Sequence, residues 1–292
     1  MALYTEKGKI PVFLGGAVGV YMLIVIIPLG ISVFYSFLNW NGYGKMIFSG
    51  FANFTELFRD KVFVKSLINS FLLAFFSVFI QIPIALLIAL ALASKTIRGE
   101  GFFRTVYFIP VLLSSVVIGQ LWLKIYSPKY GMLNNLLITF GLEEAVMNWL
   151  GDPDIALQSV FIPILWQYIG YHMLLLYAAI KSIPDEINEA ALIDGAGWLQ
   201  RSLRITIPMI TAMIRVSVIF AVTGSFKFFD LIYVMTNGGP LHSTEVPSTY
   251  MYTMIFSRSR YGMGSAVALI IVLECLLFTL IIQRVFRKKH EL

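Results

Sequence analysis

Charged residues are scarce in this sequence. Asp, Glu, Lys and Arg make up 13% of its 292 residues and hydrophobic residues 58%, whereas an average soluble domain is roughly 25% charged. A helix that rises ~1.5 Å per residue needs about 20 apolar residues to cross the ~30 Å core of a membrane. Six apolar runs have that length, at about 11–38, 67–93, 105–126, 158–180, 209–234 and 264–286. The sequence therefore predicts an all-α polytopic membrane protein with six transmembrane helices, forming a single domain over residues 1–292.

Motifs for covalent, redox and nucleotide chemistry are also missing. The one cysteine, Cys275, lies in the last apolar run, so neither an intrachain disulfide nor a metal cluster built from thiols can form. The sequence has no GxxxxGK[ST] phosphate-binding loop, no HExxH zinc motif and no nucleophile elbow. We therefore predict that the chain is not an enzyme and has no catalytic residue, metal ion or cofactor of its own.

The basic residues form short clusters beside the apolar runs, although the net charge of +6 could also suggest nucleic acid. A nucleic-acid surface would show a basic stripe with interleaved aromatic residues, and this pattern is not present. Lys and Arg are more than twice as dense at both termini, at 94–104 and at 181–208 as in the other loops. The positive-inside rule therefore makes these segments cytoplasmic. The first run is too long for a signal peptide and lacks a small-residue cleavage site, so we expect it to be retained.

The polar segment 181–208 carries helix signals. Pro184 suits a first helical position, and the two acids after it place negative charge at the positive end of the helix dipole. Gly195 can adopt the left-handed conformation that ends a helix. A second short helix is predicted over about 198–204. The segment therefore predicts a helix–turn–helix between the fourth and fifth spans.

Part of this segment resembles a family signature. The matching residues are Glu189, Ala190 and Ala191, then Gly195 after three residues, Ile205 after nine more, and Ile207 and Pro208 after one. This spacing resembles the EAA signature of the permease subunits of binding-protein-dependent ABC importers, with Ile207 in place of a leucine. The resemblance implies that the segment is the coupling loop that docks into a groove of a cytoplasmic ATPase. An amphipathic loop lying on the membrane surface is the alternative.

Two further stretches, Arg104–Pro110 and 229–240, are similar to carbohydrate permeases of the maltose, glycerol-phosphate and oligosaccharide type. The resemblance implies the type I importer permease fold, surrounded by lipid in a bacterial or archaeal cytoplasmic membrane, and import of a sugar or oligosaccharide. It implies three kinds of partner: a second homologous permease, two ATPases that bind ATP and Mg, and an extracytoplasmic solute-binding protein. A permease for another polar solute such as glycerol phosphate, and a proton-coupled secondary transporter, are the alternatives.

The fourth and fifth spans carry polar and aromatic side chains near their centres, as a pathway for a polar solute requires. These residues are Gln167, Tyr168, Tyr171, Ser225, Phe228 and Phe229. Sugars present hydroxyl groups and apolar C–H faces, so amides beside aromatic rings suit them. The family resemblance also implies substrate contacts at four of these positions, Gln167, Tyr171, Ser225 and Phe228. Packing against lipid or neighbouring helices is the alternative, since the chain has 24 Phe and 14 Tyr.

Ionisable residues inside the spans have structural explanations. Lys227 and Asp230 are three residues apart and are expected to pair on one helix face, because an unpaired charge in a span costs at least ~2.5–3.5 kcal/mol. We expect His172 to be a helix-packing residue, and Glu274 has no obvious partner in the chain. A proton-coupled transporter would need a relay of such groups, and a membrane enzyme would need clustered Asp and His at a span end. The sequence shows neither pattern.

Overall fold

The computed structural model of the protein describes residues 9–94 and 98–287. Four residues that supported the predicted topology, Lys7, Lys95, Lys288 and Lys289, lie outside the described residues. The elements up to the first polar loop are α1 (Lys9–Tyr21), a π-helical stretch (Met22–Ile26), α2 (Ile27–Ser36), an antiparallel pair of strands β1 (Leu38–Asn39) and β2 (Ile47–Phe48), and α3 (Ala52–Arg59).

The remaining elements are also helical. The central ones are α4 (Lys61–Phe76), a π-helical stretch (Ser77–Gln81), α5 (Ile82–Ala93), α6 (Glu100–Leu112), α7 (Ser115–Ile125), α8 (Met132–Thr139), a 3₁₀ turn (Glu143–Ala145) and α9 (Ala156–Lys181). The last ones are α10 (Asp185–Ile193), α11 (Trp198–Arg201), a π-helical stretch (Ser202–Thr206), α12 (Ile207–Met209), α13 (Thr211–Phe226), α14 (Asp230–Met235), α15 (Pro247–Tyr252), a π-helical stretch (Thr253–Ser257) and α16 (Tyr261–Arg287).

The predicted all-α membrane fold is confirmed. Five helical segments are long and apolar enough to cross a membrane: Leu14–Ser36, Lys61–Ala93, Ala156–Lys181, Thr211–Met235 and Tyr261–Arg287. The bent pair α6–α7 makes a sixth if it is counted as one span. The second and last of the five begin before the predicted runs at about 67 and 264, because a helix continues past its apolar residues into polar ones.

The third predicted span, about 105–126, is wrong as a continuous helix. Its two halves, α6 and α7, meet at an angle of 97°. Pro110 lies inside α6, where its ring removes a backbone hydrogen bond, and the helix ends two residues later. Leu113 is extended, and the Ser114 hydroxyl then caps α7 by accepting from the Val116 N–H at 3.3 Å. Pro110 was the signal in the sequence for a distortion here, but a proline alone does not determine the size of the bend, since α9 continues through Pro163.

Three prolines follow directly on π-helical stretches. They are Pro28, Pro83 and Pro208, each the second residue of the α-helix after the stretch. The residue before each proline donates its N–H to a carbonyl five positions back, for example Ile82 to Ser77. Proline cannot donate this bond, and its ring crowds the carbonyl four residues earlier. The wider π turn accommodates the ring without ending the helix.

Contacts within the chain define two compact units, each discontinuous in sequence. One combines the residues up to Asp60 with Met251–Ile270, and the other combines Lys61–Tyr250 with the rest of α16. The prediction of a single domain over residues 1–292 stays a prediction.

The unit that contains the strands is organised by polar contacts. The buried Asn53 amide donates to the carbonyl oxygens of Ser36 at 2.8 Å and Leu38 at 2.9 Å. Arg260 makes two hydrogen bonds of 2.6 Å with the Glu56 carboxylate, and its guanidinium lowers the pKa of that carboxyl. These contacts hold the polar loop after the first span in one conformation.

The larger unit is built around α9. The second span packs along α9, and its buried residues Ala85 and Ala89 meet Met173 and Leu176. Gly170 allows α6 to approach α9 closely, because a Cβ at this position would collide with the backbone carbonyl of Tyr107. Close packing of small residues is how membrane helices associate when no water drives them together.

The segment between the third and fourth spans contains the helix α8. Asn134 in this helix donates to the carbonyls of Pro128 at 3.3 Å and Met147 at 3.0 Å. Its side-chain oxygen accepts from Trp149 Nε1 at 2.8 Å. One buried amide therefore fixes both ends of the loop.

Candidate functional site

The predicted helix–turn–helix is present between the fourth and fifth spans. Its first helix, α10, begins at Asp185 with Pro184 at the N-cap, one residue later than predicted. Its second helix begins at Trp198 as predicted, but it does not stop near residue 204. α11, the π-helical stretch and α12 follow one another without a gap as far as Met209.

The turn between these helices depends on Gly195. This residue has a φ of +76°, in the left-handed region that glycine favours. The N–H of Ala196 donates to the Ala191 carbonyl at 2.9 Å, and the N–H of Gly195 donates to Leu192 at 3.0 Å. These two bonds form a Schellman C-cap, which satisfies carbonyls that the end of α10 leaves free.

The other signature residues differ in accessibility. Glu189 and Ala190 are exposed, whereas Ala191 is buried against its own chain. Ile205 is half-buried and Pro208 is exposed. Among the residues that the structure describes, no ion pair or hydrogen bond engages the Glu189 carboxylate. Ala190 and Glu189 are therefore the members of the triplet that another protein can reach.

The helix–turn–helix also exposes large apolar side chains. Ile193 is 87% exposed, and the others are Leu192, Trp198, Leu199 and Leu203. Behind the two helices lies a cavity of about 480 Å³, lined among others by Glu189, Arg201, Lys181, Asn188 and Thr206. An exposed apolar patch beside an unpaired acid is typical of a docking surface for another protein.

A second cavity, of about 410 Å³, lies between α9, α13 and the π-helical stretch of the second span. We call it the α9–α13 cavity. Its wall consists of Leu73, Ser77, Gln81, Ile164, Tyr168, Tyr171, His172, Phe220, Ala221, Thr223, Gly224, Ser225, Lys227, Phe228, Phe229 and Asp230.

Five of the six residues predicted for a solute pathway meet in this wall. They are Tyr168, Tyr171, Ser225, Phe228 and Phe229. Gln167 is not brought to it: its side chain is 2% exposed and packed inside the larger unit, and its carbonyl oxygen has no hydrogen-bond partner among the described residues. The helical spacing of Gln167 and Tyr171 did not show that one side chain faces the packed interior and the other the cavity.

Two aromatic pairs join α9 to the fifth span across the cavity. The ring centroids of Tyr171 and Phe220 lie 6.4 Å apart, and those of Tyr168 and Phe228 lie 6.3 Å apart. The Ser225 hydroxyl lies 2.8 Å from the Ala221 carbonyl oxygen and 3.3 Å from Ser77 Oγ. The rings therefore present apolar surface to the cavity, and Ser225 is already bonded within the chain.

Sequence reasoning missed several residues of the wall. Ser77 and Gln81 come from the second span, and Phe220 and Gly224 come from the fifth. Ser77 and Gln81 are polar residues four apart in an apolar run, and this spacing places them on one side of a helix. This four-residue spacing was the feature of the sequence that indicated a polar face on the second span.

The fifth span is broken at the cavity, so the expected ion pair of Lys227 with Asp230 on one helix face is wrong. α13 ends at Phe226 and α14 begins at Asp230. Within the described part of the chain no ion pair joins Lys227 to Asp230, and both side chains line the cavity. Ser225 lies in the last turn of α13, whereas Phe228 and Phe229 lie in the break that follows it.

Two ionisable residues of the spans have different surroundings. His172 is buried within the larger unit at the edge of the cavity wall. Glu274 is half-buried in α16, and one of its carboxylate oxygens has no hydrogen-bond partner among the residues described. No group of three or more His, Cys, Asp or Glu that could hold a metal occurs in the described chain.

A multi-span helical protein with a polar and aromatic cavity between spans, and an exposed helix–turn–helix beside them, has the architecture of a transport permease. The chain belongs to the family of binding-protein-dependent transport system inner membrane components, whose model matches residues 10–291. This is a family of multi-pass membrane proteins that serve as transport components and not as enzymes.

Individual relatives agree with this assignment. The chain is 38% identical over 274 residues to a probable ABC transporter permease protein, YurN, of Bacillus subtilis, covering 93% of this chain and 94% of the relative. It is 32% identical over 281 residues to the diacetylchitobiose uptake system permease protein NgcF of Streptomyces coelicolor, covering 92% and 80%. A solved bacterial ABC transporter involved in alginate import has a chain of the same fold, with a TM-score of 0.83, 24% identity and coverage of 97% and 98%.

Proposed function

We propose that the chain forms half of the translocation pathway for a sugar or oligosaccharide in an ATP-driven importer. The observation that carries the proposal is the α9–α13 cavity, whose wall sets tyrosine and phenylalanine rings beside hydroxyl and amide groups. Rings pack on the apolar C–H faces of a sugar, and polar groups bond its hydroxyls. The names of relatives support the solute class, since they include permeases for diacetylchitobiose, starch degradation products and lactose.

A second, homologous permease is proposed to close the pathway from the other side. Four fifth-span residues of the cavity wall are exposed on this chain, so the cavity is open rather than enclosed; they are Phe220, Gly224, Lys227 and Asp230. An extracytoplasmic binding protein is proposed to deliver the solute, as the family name indicates. Lipid surrounds the spans, and nucleic acid has no part in the function.

Residues 181–208, which we call the coupling segment, are proposed to dock on one of two cytoplasmic ATPases, which bind ATP and Mg. Both termini and residues 181–208 are then cytoplasmic, as their basic residues favour. The exposed apolar side chains of α10 and α11 supply buried area in such an interface, and Glu189 supplies a charge-assisted contact to a basic residue. Ala190 permits close approach, while the buried Ala191 holds α10 to its own chain.

A permease for an anionic solute such as glycerol phosphate is the second candidate. Lys227 lines the cavity and has no ion-pair partner among the described residues, so it could meet a phosphate. Asp230 lines the same cavity and opposes an anion there. The neutral, aromatic character of the rest of the wall favours the sugar.

The test is uptake by the complete importer. The permease pair, the ATPases and the binding protein are reconstituted in vesicles and given radiolabelled disaccharides to pentasaccharides, with glycerol phosphate as the competing candidate. ATP-dependent uptake of a saccharide, abolished without the binding protein, is expected. Uptake by this chain alone, without ATPases, contradicts the proposal, and uptake of glycerol phosphate in place of every saccharide selects the second candidate.

A further inference from the structure

The two aromatic pairs of the cavity, Tyr171 with Phe220 and Tyr168 with Phe228, lie on either side of an open space along the fifth span. Phe220 lies in α13, six residues or roughly 9 Å of helical rise before the end of this helix at Phe226, and Phe228 lies two residues beyond that end. On α9 their partners Tyr171 and Tyr168 are three residues apart, or roughly 4.5 Å. The space between the pairs is therefore wider on the side of the fifth span.

Gly224 lies in the middle of that open space. It is four residues after Phe220, and at this spacing a helix brings the two positions to one face, while Phe228 follows in the break four residues further on. It is exposed and belongs to the cavity wall. A Cβ built at this position would meet no atom within 4 Å. The missing side chain thus leaves open space between two phenyl rings.

Neither backbone conformation nor helix packing accounts for this glycine. Gly195 requires a positive φ, and Gly170 faces the backbone of a neighbouring helix, but Gly224 lies within α13 without either constraint in this chain. Glycine is also a poor helix former. The consequence of its presence within this chain is the width of the cavity.

We propose that Gly224 sets the largest cross-section of solute that the pathway admits, by leaving a slot between the two aromatic pairs in which one sugar ring sits. The slot rests on the proposed function. The rings of Phe220 and Phe228 contact the ring in the slot above and below, and Thr223 and Ser77 lie beside it in the same wall. A side chain at residue 224 fills the slot and excludes the bulkiest solutes first.

The experiment compares Gly224→Ala, Gly224→Val and Gly224→Leu in the reconstituted importer, using the same saccharide panel. Gly224→Ala is expected to keep at least about half of wild-type uptake. Gly224→Leu is expected to lose about tenfold or more, with the longest or branched saccharide that the wild type imports lost before the smallest. Gly101→Leu is the matched control, because a Cβ at Gly101 also meets no atom within 4 Å but lies in α6, outside the cavity wall.

Labelling a cysteine at residue 224 after assembly tests the same proposal if the Gly224→Leu variant fails to assemble. Gly224→Cys in a Cys275→Ser background is assembled first and then labelled with a small or a large methanethiosulfonate reagent. The large reagent is expected to block uptake and the small one to spare it. A small label that blocks as fully as the large one overturns the slot.

The outcomes separate the two proposals. Wild-type rates in Gly224→Leu for every saccharide, or equal loss of all saccharides already in Gly224→Ala, overturn the role of Gly224 and leave the importer function standing. Failure of the wild-type importer to take up any saccharide overturns the proposed function, and the slot with it.

Discussion

Replacing Gly195 with valine isolates a backbone effect in the coupling segment. Gly195 has a φ of +76°, and a Cβ there would meet no atom within 4 Å. No collision therefore contributes, and the whole effect comes from the left-handed conformation, which costs about 1–3 kcal/mol in a residue other than glycine. At about 1.4 kcal/mol per factor of ten, the native turn becomes roughly 5 to 150 times less favoured. The two Schellman bonds of the turn weaken with it.

Gly197 provides the matched control. It lies two residues further on, is exposed, and has a φ of −67° and a ψ of 166°, which any residue adopts. Because Gly197 is the N-cap of α11, where valine is less favourable than glycine, Gly197→Val should lose some uptake but less than Gly195→Val. Gly195→Asn should lie between the wild type and Gly195→Val, because asparagine tolerates the left-handed region better than a β-branched residue does.

The assays are co-purification of the ATPases with the permease and ATP-dependent uptake in vesicles. Gly195→Val is expected to insert into the membrane normally, because the spans are unaffected, and to lose at least about fivefold in uptake. Equal uptake by Gly195→Val and Gly197→Val, at the wild-type rate, would show that the left-handed turn is not needed for coupling.

Four more substitutions test other parts of the molecule. Tyr171→Ala should reduce uptake without reducing ATPase co-purification, because Tyr171 lines the cavity. Gln167→Ala should instead lower the thermal unfolding temperature of the complex, because Gln167 is buried. A loss of stability in Tyr171→Ala together with a loss of uptake alone in Gln167→Ala would contradict these positions. Glu189→Lys should reduce uptake about tenfold, which corresponds to ~1.4 kcal/mol of coupling free energy. A Lys or Arg→Glu change in the ATPase groove should restore part of the uptake, and unchanged uptake in Glu189→Lys alone would show that Glu189 is not in the interface. Gly170→Ala should destabilise the complex by about 1–3 kcal/mol through its clash with the Tyr107 backbone, measured as thermal unfolding in detergent, and an unchanged unfolding temperature refutes that close contact.

The sequence was most informative where local chemistry alone decides the structure. Proline followed by acids marked the start of α10, and Gly195 marked its end, because caps and left-handed turns depend on a few adjacent residues. The number of apolar runs likewise follows from the thickness of a membrane. These features needed no knowledge of distant contacts.

The sequence was least informative about where helices break and which way side chains face. The break at Lys227 to Phe229 carries apolar and charged residues without a helix-breaking signal, so composition did not reveal it. Pro110 did not show that the chain bends fully at Leu113, because α9 continues through Pro163. Gln167 and Tyr171 share a helical spacing but not an environment, because the neighbours of α9 decide which side is packed. Tertiary contacts therefore determined the part of the candidate site that the pattern could not.

The π-helical stretches before Pro28, Pro83 and Pro208 bear on how this chain can change during evolution. A π turn holds one residue more than the α turn that it replaces. Each stretch therefore amounts to a one-residue insertion that makes its proline tolerable. In aligned relatives that have lost one of these prolines, a single-residue gap in the five positions before it should be tolerated. Where the proline is kept, the same gap should be absent, because an α turn in place of the π turn would bring the proline ring back against the preceding turn.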